Sequence, residues 1–321
     1  MGGSGPRGED RDEVTPSAVK PTTRLVGILE TAAPDAGRLA LWDIFKDRLR
    51  DLGHVEGENI GFEFRWADGR QERLAGAAAE LVGLGVAVLV TAGTPAAAAA
   101  SRETTEIAVV MATGVALGTQ LTKEADNRNA NVTGISDLPP GVSAMRLQLL
   151  GEAVASIGPF AILADRGNPS STLAVRETHD AARSLGMAVK EYWLQGPDEF
   201  GGTLSAMKSD GMRGFVIAPG AMFFAQRKIL AAFALERRLP SMSVRREYAE
   251  AGCLMAYGAP IRENYRQAAA FVSRILHGAK PAELPVDQPT GFDLVVNLKA
   301  AETLGLALPQ ALLARAEKIR Q

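Results

Sequence analysis

What most limits the fold of this chain is a regular alternation of short apolar runs with longer amphipathic stretches, repeated in two series. In the first series, the apolar runs at 25–29, 86–90 and 107–111 read as buried strands. Ile60, Phe62, Phe64 and Trp66 alternate with smaller or polar residues, which predicts a further strand over 60–66. Between these runs, 35–52, 71–84 and 95–103 carry helical spacing. In the first of them, Leu39, Trp42, Ile44, Phe45, Leu49 and Leu52 supply the apolar side and Gly53 the stop. Parallel neighbours need crossover helices, so the order β-α-β-α-β-α-β predicts a doubly wound parallel sheet.

The cycle then restarts, with helices over 142–156, 170–185, 199–207 and 223–238 and strands over 160–164, 188–193 and 214–218. Two series predict an α/β protein of two Rossmann-like lobes with parallel sheets. A length of 321 residues suits two domains at roughly 100–200 residues each. The C-terminal third departs from the cycle. A helix over 261–276 ends at Gly278, and Pro281, Pro285 and Pro289 punctuate the next dozen residues. A strand over 292–297 and a helical region over 298–318 then complete the chain. Such a tail is expected to cross back between the lobes. The expected division is a disordered lead-in over 1–23, a first lobe of 24–135 plus about 261–283, and a second lobe of 136–260 plus about 284–321.

Composition excludes several functions. A net charge of -2 with Lys and Arg spread along the chain provides no nucleic-acid footprint. The single cysteine, Cys253, rules out an internal disulfide, and His54, His179 and His277 lie too far apart for metal-ligand spacing, so neither metal nor cofactor is expected. No stretch of about 18 apolar residues predicts a membrane span. Residues 1–24 contain no apolar run of 7–15 residues, so no secretory signal is expected in this sequence. The chain also lacks a G-x-S-x-G elbow, a P-loop and a G-x-G-x-x-G after its first strand, and nothing in it calls for catalysis.

In open α/β sheets ligands bind beyond the carboxyl ends of the strands, which turns the loops there into candidates. Thr31 follows the first strand and Gly93-Thr94-Pro95 the third. Thr94 suits a helix N-cap with Pro95 at the first helical position, where free amides and the helix dipole favour a carboxylate. Val115 follows the fourth strand. Asn168 reads as the cap of the helix from Ser170, and Met222 lies in the loop after the strand at 214–218. Glu247 and Tyr248 set a carboxylate beside an aromatic face. For Thr94 the alternative is a cap and nothing more, and for Glu247-Tyr248 a solvated helix start.

Several segments together resemble the ABC-transporter substrate-binding protein family that includes tryptophan- and tyrosine-binding members. They are FKDRLRDLGHVEGENI over 45–60, EFRWADG over 63–69, TAGTPA over 91–96 and NVTG over 131–134. Further along come LMAYG over 254–258, YRQAA over 265–269, RILHGAKPAELPV over 274–286 and NLKAAETLGL over 297–306. The resemblance runs in order from about Arg24 to the end. It implies the periplasmic-binding-protein type I arrangement, in which a small-molecule ligand is clasped between two lobes by hinge closure, with an ABC permease as partner. Two departures stand out. Where family members carry Asp-Pro after the fourth strand, a partner for a ligand amine, this chain has Thr113-Gly114-Val115-Ala116. Where they carry a first Asn-Pro in the later loop, it has Asp165-Arg166.

The expectation is therefore a solute-binding subunit that binds an amino-acid-like molecule or small carboxylate without chemistry. By resemblance it is periplasmic. The missing signal keeps a cytoplasmic sensor using the same clasp as an alternative, with an enzyme in the interlobe cleft as the lesser one.

Overall fold

The computed structural model describes residues 23–116, 131–156 and 158–320. All of the expected lead-in except Thr23 lies outside the described residues. The first sheet has the order β11-β5-β4-β3-β1-β2, built from β1 (Arg24–Glu30), β2 (Ile60–Trp66), β3 (Val88–Ala92), β4 (Ala108–Thr113), β5 (Val132–Ile135) and β11 (Val286–Asp287). Among the described residues every pairing in it is parallel. The second runs β13-β12-β10-β9-β8-β6-β7, from β6 (Phe160–Asp165), β7 (Val189–Leu194), β8 (Phe215–Ile217), β9 (Ser241–Ser243), β10 (Met255–Gly258), β12 (Asp293–Asn297) and β13 (Glu317–Ile319). Its one antiparallel pairing among the described residues joins β10 to β12. The two sheets form the two lobes of an α/β protein.

Helices cover both faces of each sheet, as buried parallel strands require. Strands β3 and β4 are buried along their whole length. On one face of the first sheet, α1 (Ala36–Asp51) packs with α10 (Ile261–Leu276). There Trp42 meets Phe45, Phe64 and Tyr265 edge-on, with ring centroids 4.9–5.9 Å apart. On the other face lie α2 (Leu74–Gly83) and the alanine-rich α3 (Thr94–Glu103), whose small side chains let the helix sit close to the sheet. In the second lobe, α4 (Val142–Val154) packs beside α5 (Pro169–Leu185), while α6 (Phe200–Ser209), α7 (Ala221–Ala225) and α8 (Arg227–Glu236) cover the opposite face.

Among the described residues the chain passes between lobes three times: from β5 to α4, from β10 to α10, and from β11 to β12. In the tail, α10 packs on the first sheet and β11 pairs within it, while β12 and β13 pair in the second, so the first sheet reaches past the boundary expected at about 284. Two stretches depart from the helices expected of them. Residues 298–318 are not one helical region: α11 (Leu298–Leu304) stops at Gly305, whose φ is +70°, then α12 (Gln310–Arg315) follows Pro309, and β13 extends the sheet. Residues 223–238 belong to two helices, with the short α7 breaking at Gln226 before α8. Strands β5, β9, β10 and β11 are additions to the elements expected from periodicity.

Candidate functional site

The carboxyl ends of both sheets face one another, and the loops beyond them enclose a cavity of about 80 Å³. This is small beside the roughly 300–1,000 Å³ of ordinary ligand pockets, because arginine and aromatic side chains line it from both lobes. The first lobe contributes Glu30 from the end of β1, Arg38 from the first turn of α1, Gly93 and Thr94 at the start of α3, Thr113 at the end of β4 with Gly114 and Val115 beyond it, and Asp137 after β5. Asn264 of α10 joins them. The second lobe contributes Arg146 of α4, Asn168 and Ser170 at the start of α5, Phe224 of α7, and Val244, Arg245 and Tyr248 around α9 (Arg246–Glu250).

Thr94 does not cap its helix, contrary to the expectation. Gly93 holds the cap position at φ +102°, and the Thr94 hydroxyl instead accepts the Val115 amide at 2.7 Å and meets Ser170 Oγ across the cleft. A Cβ at Gly93 would come within 2.6 Å of Thr31 Oγ1, so glycine is demanded here both by backbone conformation and by space. Asn168 does cap α5: its Oδ1 accepts the Ser170 amide at 3.0 Å, and its Nδ2 donates to the Pro219 carbonyl at 3.0 Å. The positive ends of α3 and α5 therefore converge on the cavity from opposite lobes, a setting that favours a negative ligand group.

Charged side chains dominate the rest of the lining. Glu30, fully buried, accepts from Trp42 Nε1 at 3.3 Å and the Ala32 amide at 3.2 Å, and faces Arg38 at 3.8 Å. Burial pushes the Glu30 carboxyl up from its ordinary range, against the pull of Arg38. Asp137 accepts from the Gly114 amide at 3.2 Å, from Asn264 Nδ2 at 2.5 Å and from Arg245 Nη2 at 3.1 Å. Burial raises it to about 6 despite Arg245. Arg146 donates to the Tyr257 carbonyl at 2.8 Å, and burial together with the nearby Arg245 lowers it to about 10. The Phe224 ring centroid lies 4.6 Å from the Arg38 guanidinium carbon and 5.9 Å from that of Arg245, so one aromatic ring serves cations from both lobes.

Of the residues singled out from sequence, Gly93, Thr94, Val115, Asn168 and Tyr248 line this cavity together. Thr31 stands behind it, its hydroxyl donating to the Ala92 carbonyl at 2.9 Å. Met222 packs against the second-lobe core. Glu247 borders a neighbouring groove with Arg246 and Glu250 rather than the cavity. Sequence reasoning missed Glu30, Arg38, Asp137, Arg146, Arg245 and Asn264. Glu30 alone carried a usable signal, as the last residue of a strand whose carboxyl end was expected to face ligand.

The arrangement can hold a molecule by hydrogen bonds and charge from two bodies. Among the described residues no group of three or more His, Cys, Asp or Glu side chains is arranged to hold a metal ion. Against known proteins, residues 27–320 match the family described as ABC transporter substrate binding protein. A tyrosine-binding protein of Clostridioides difficile is 21% identical over 269 residues, covering 82% of this chain and 75% of that protein. A conserved domain protein from Vibrio cholerae has a crystal structure similar to this one at a TM-score of 0.85 and 25% identity, covering 92% of this chain and 99% of that one. An ABC domain from Streptococcus pneumoniae in complex with L-Trp superposes at 0.84 with 21% identity, over 92% and 99% of the two chains. The ligand-free, open structure of a substrate-binding protein from Clostridium difficile gives 0.67 at 19% identity, over 93% of this chain and 100% of that one.

Proposed function

The chain belongs to the ABC transporter substrate binding protein family, and from that premise we propose that it clasps a small organic solute between its lobes and presents the closed form to a membrane permease. It is a binder rather than an enzyme. The observation that carries the reading is the cavity itself, walled by the carboxyl-end loops of both sheets and bridged by Thr94 with Ser170 and by Asp137 with Arg245. Contacts of this kind form only when the lobes approach, so they stabilise the closed arrangement that a solute touching both lobes would select. The similarity is greater to the L-Trp complex than to the ligand-free open relative, which agrees with a closed arrangement here.

Work outside the inner membrane follows from this reading, because a solute must be captured before the permease moves it. The ligand-binding residues proposed are Gly93, Thr94, Val115, Asn168 and Tyr248, joined by Arg38 and Arg245. Thr31 supports Gly93 from behind. Isothermal titration of the purified protein against amino acids, organic acids and sugars tests the proposal. It expects one solute per chain, recovered unchanged after prolonged incubation, and a smaller radius of gyration in solution scattering when solute is present. Conversion of a bound solute into product would overturn it.

A further inference from the structure

We propose that the solute held in this cleft is an organic acid with one carboxylate and no ammonium group. This rests on the solute-clasp reading and names its substrate class. Three buried donors on residues that line the cavity have no hydrogen-bond partner among the described residues: Arg38 Nε, Arg245 Nη1 and the Tyr248 hydroxyl. Arg38 is 5% exposed and Tyr248 fully buried, so water does not serve them as it would at a surface. Buried donors left unmatched are costly, and three on residues walling one cavity favour an acceptor there. Two are guanidinium groups, whose planar donors suit a carboxylate.

The carboxylates of the cleft point the same way, since both are already engaged. Glu30 is held by Trp42, the Ala32 amide and Arg38; Asp137 is held by the Gly114 amide, Asn264 and Arg245. A ligand ammonium would bring three donors and a positive charge into a site where, among the described residues, no other carboxylate lines the wall. Three lining arginines (Arg38, Arg146, Arg245) against two lining carboxylates (Glu30, Asp137) leave one positive charge in excess when all are ionised. A monoanion neutralises it. A zwitterionic amino acid leaves it standing.

Calorimetric titration with matched pairs differing only in the amine tests the assignment at two sizes. The pairs are L-tyrosine with 3-(4-hydroxyphenyl)propionate, L-tryptophan with indole-3-propionate, and L-alanine with propionate; myo-inositol serves as a neutral solute. The expected result is binding of at least one amine-free acid at least tenfold tighter than its amino acid. In Arg245→Gln and Arg38→Gln proteins with native melting curves, the bound acid should lose at least tenfold in affinity. Equal or tighter binding of the amino acid overturns the class while leaving the clasp intact, and so does binding of myo-inositol with none of the acids. Failure of every probe to bind the folded wild-type protein overturns the clasp and the class together.

Discussion

Arg245 of the second lobe donates from Nη2 to Asp137 Oδ2 of the first at 3.1 Å, making an ion pair that spans the cleft with both side chains about one-fifth exposed. The same Asp137 also accepts from the Gly114 amide and from Asn264. One carboxylate thus joins the end of β4, the helix α10 and the loop after β9. Partial burial makes the pair more sensitive to loss of one member than an exposed surface pair.

The elevated Asp137 titration gives a signed pH dependence. Its ordinary value is 3.8 and burial raises it to about 6 in the folded protein. Between those values the folded state binds the proton more strongly than the unfolded state. The stability this contributes is full below about 3.8 and is lost as pH rises through about 6. Asp137→Asn removes the titration. The difference in urea midpoint, wild type minus variant, should therefore fall as pH increases from about 4 to about 6 and level off above about 7. A difference independent of pH would contradict the burial argument.

Thr94 and Ser170 should behave as a coupled pair. Thr94→Ala removes an acceptor for the Val115 amide and the contact with Ser170, at about 1 kcal/mol of stability. In a double-mutant cycle with Ser170→Ala, the solute-binding effects should be less than additive, because either change alone already breaks the bridge. Strict additivity in titration calorimetry would separate the two residues.

Gly93→Ala should destabilise the fold by roughly 1–3 kcal/mol, since a side chain at φ +102° is strained. The new methyl would also press on Thr31 Oγ1. Adding Thr31→Ala should recover only the part due to crowding, leaving the backbone strain. Thermal melts of the single and double variants separate the two contributions.

Trp42→Ala should cost about 3–5 kcal/mol as a fully buried aromatic, the upper end being expected because the indole touches three other rings. It also leaves Glu30 without its indole donor. Chemical denaturation monitored by far-ultraviolet circular dichroism measures the loss.

The alternation of apolar runs and amphipathic stretches determined two parallel α/β lobes by itself, because strands buried on both faces and their covering helices leave different periods in the residues. It also placed Asn168, whose capping hydrogen bond is local, reaching only two residues along the chain. Strands β9, β10 and β11 escaped because two to four residues carry no readable period. The expected 298–318 helix failed because tertiary pairing with β12 claims Glu317–Ile319. Most of the cleft was decided by tertiary structure alone. Arg38, Arg146 and Arg245 look like ordinary helix or loop arginines, and nothing along the chain says which will be turned inward. Thr94 looks like a cap until the loop after β4 and the start of α5 arrive beside it. Local propensity acts through neighbours within a few residues. The cleft is made by residues as far apart as Asp137 and Arg245, brought together only when the crossings of the chain dock one lobe on the other.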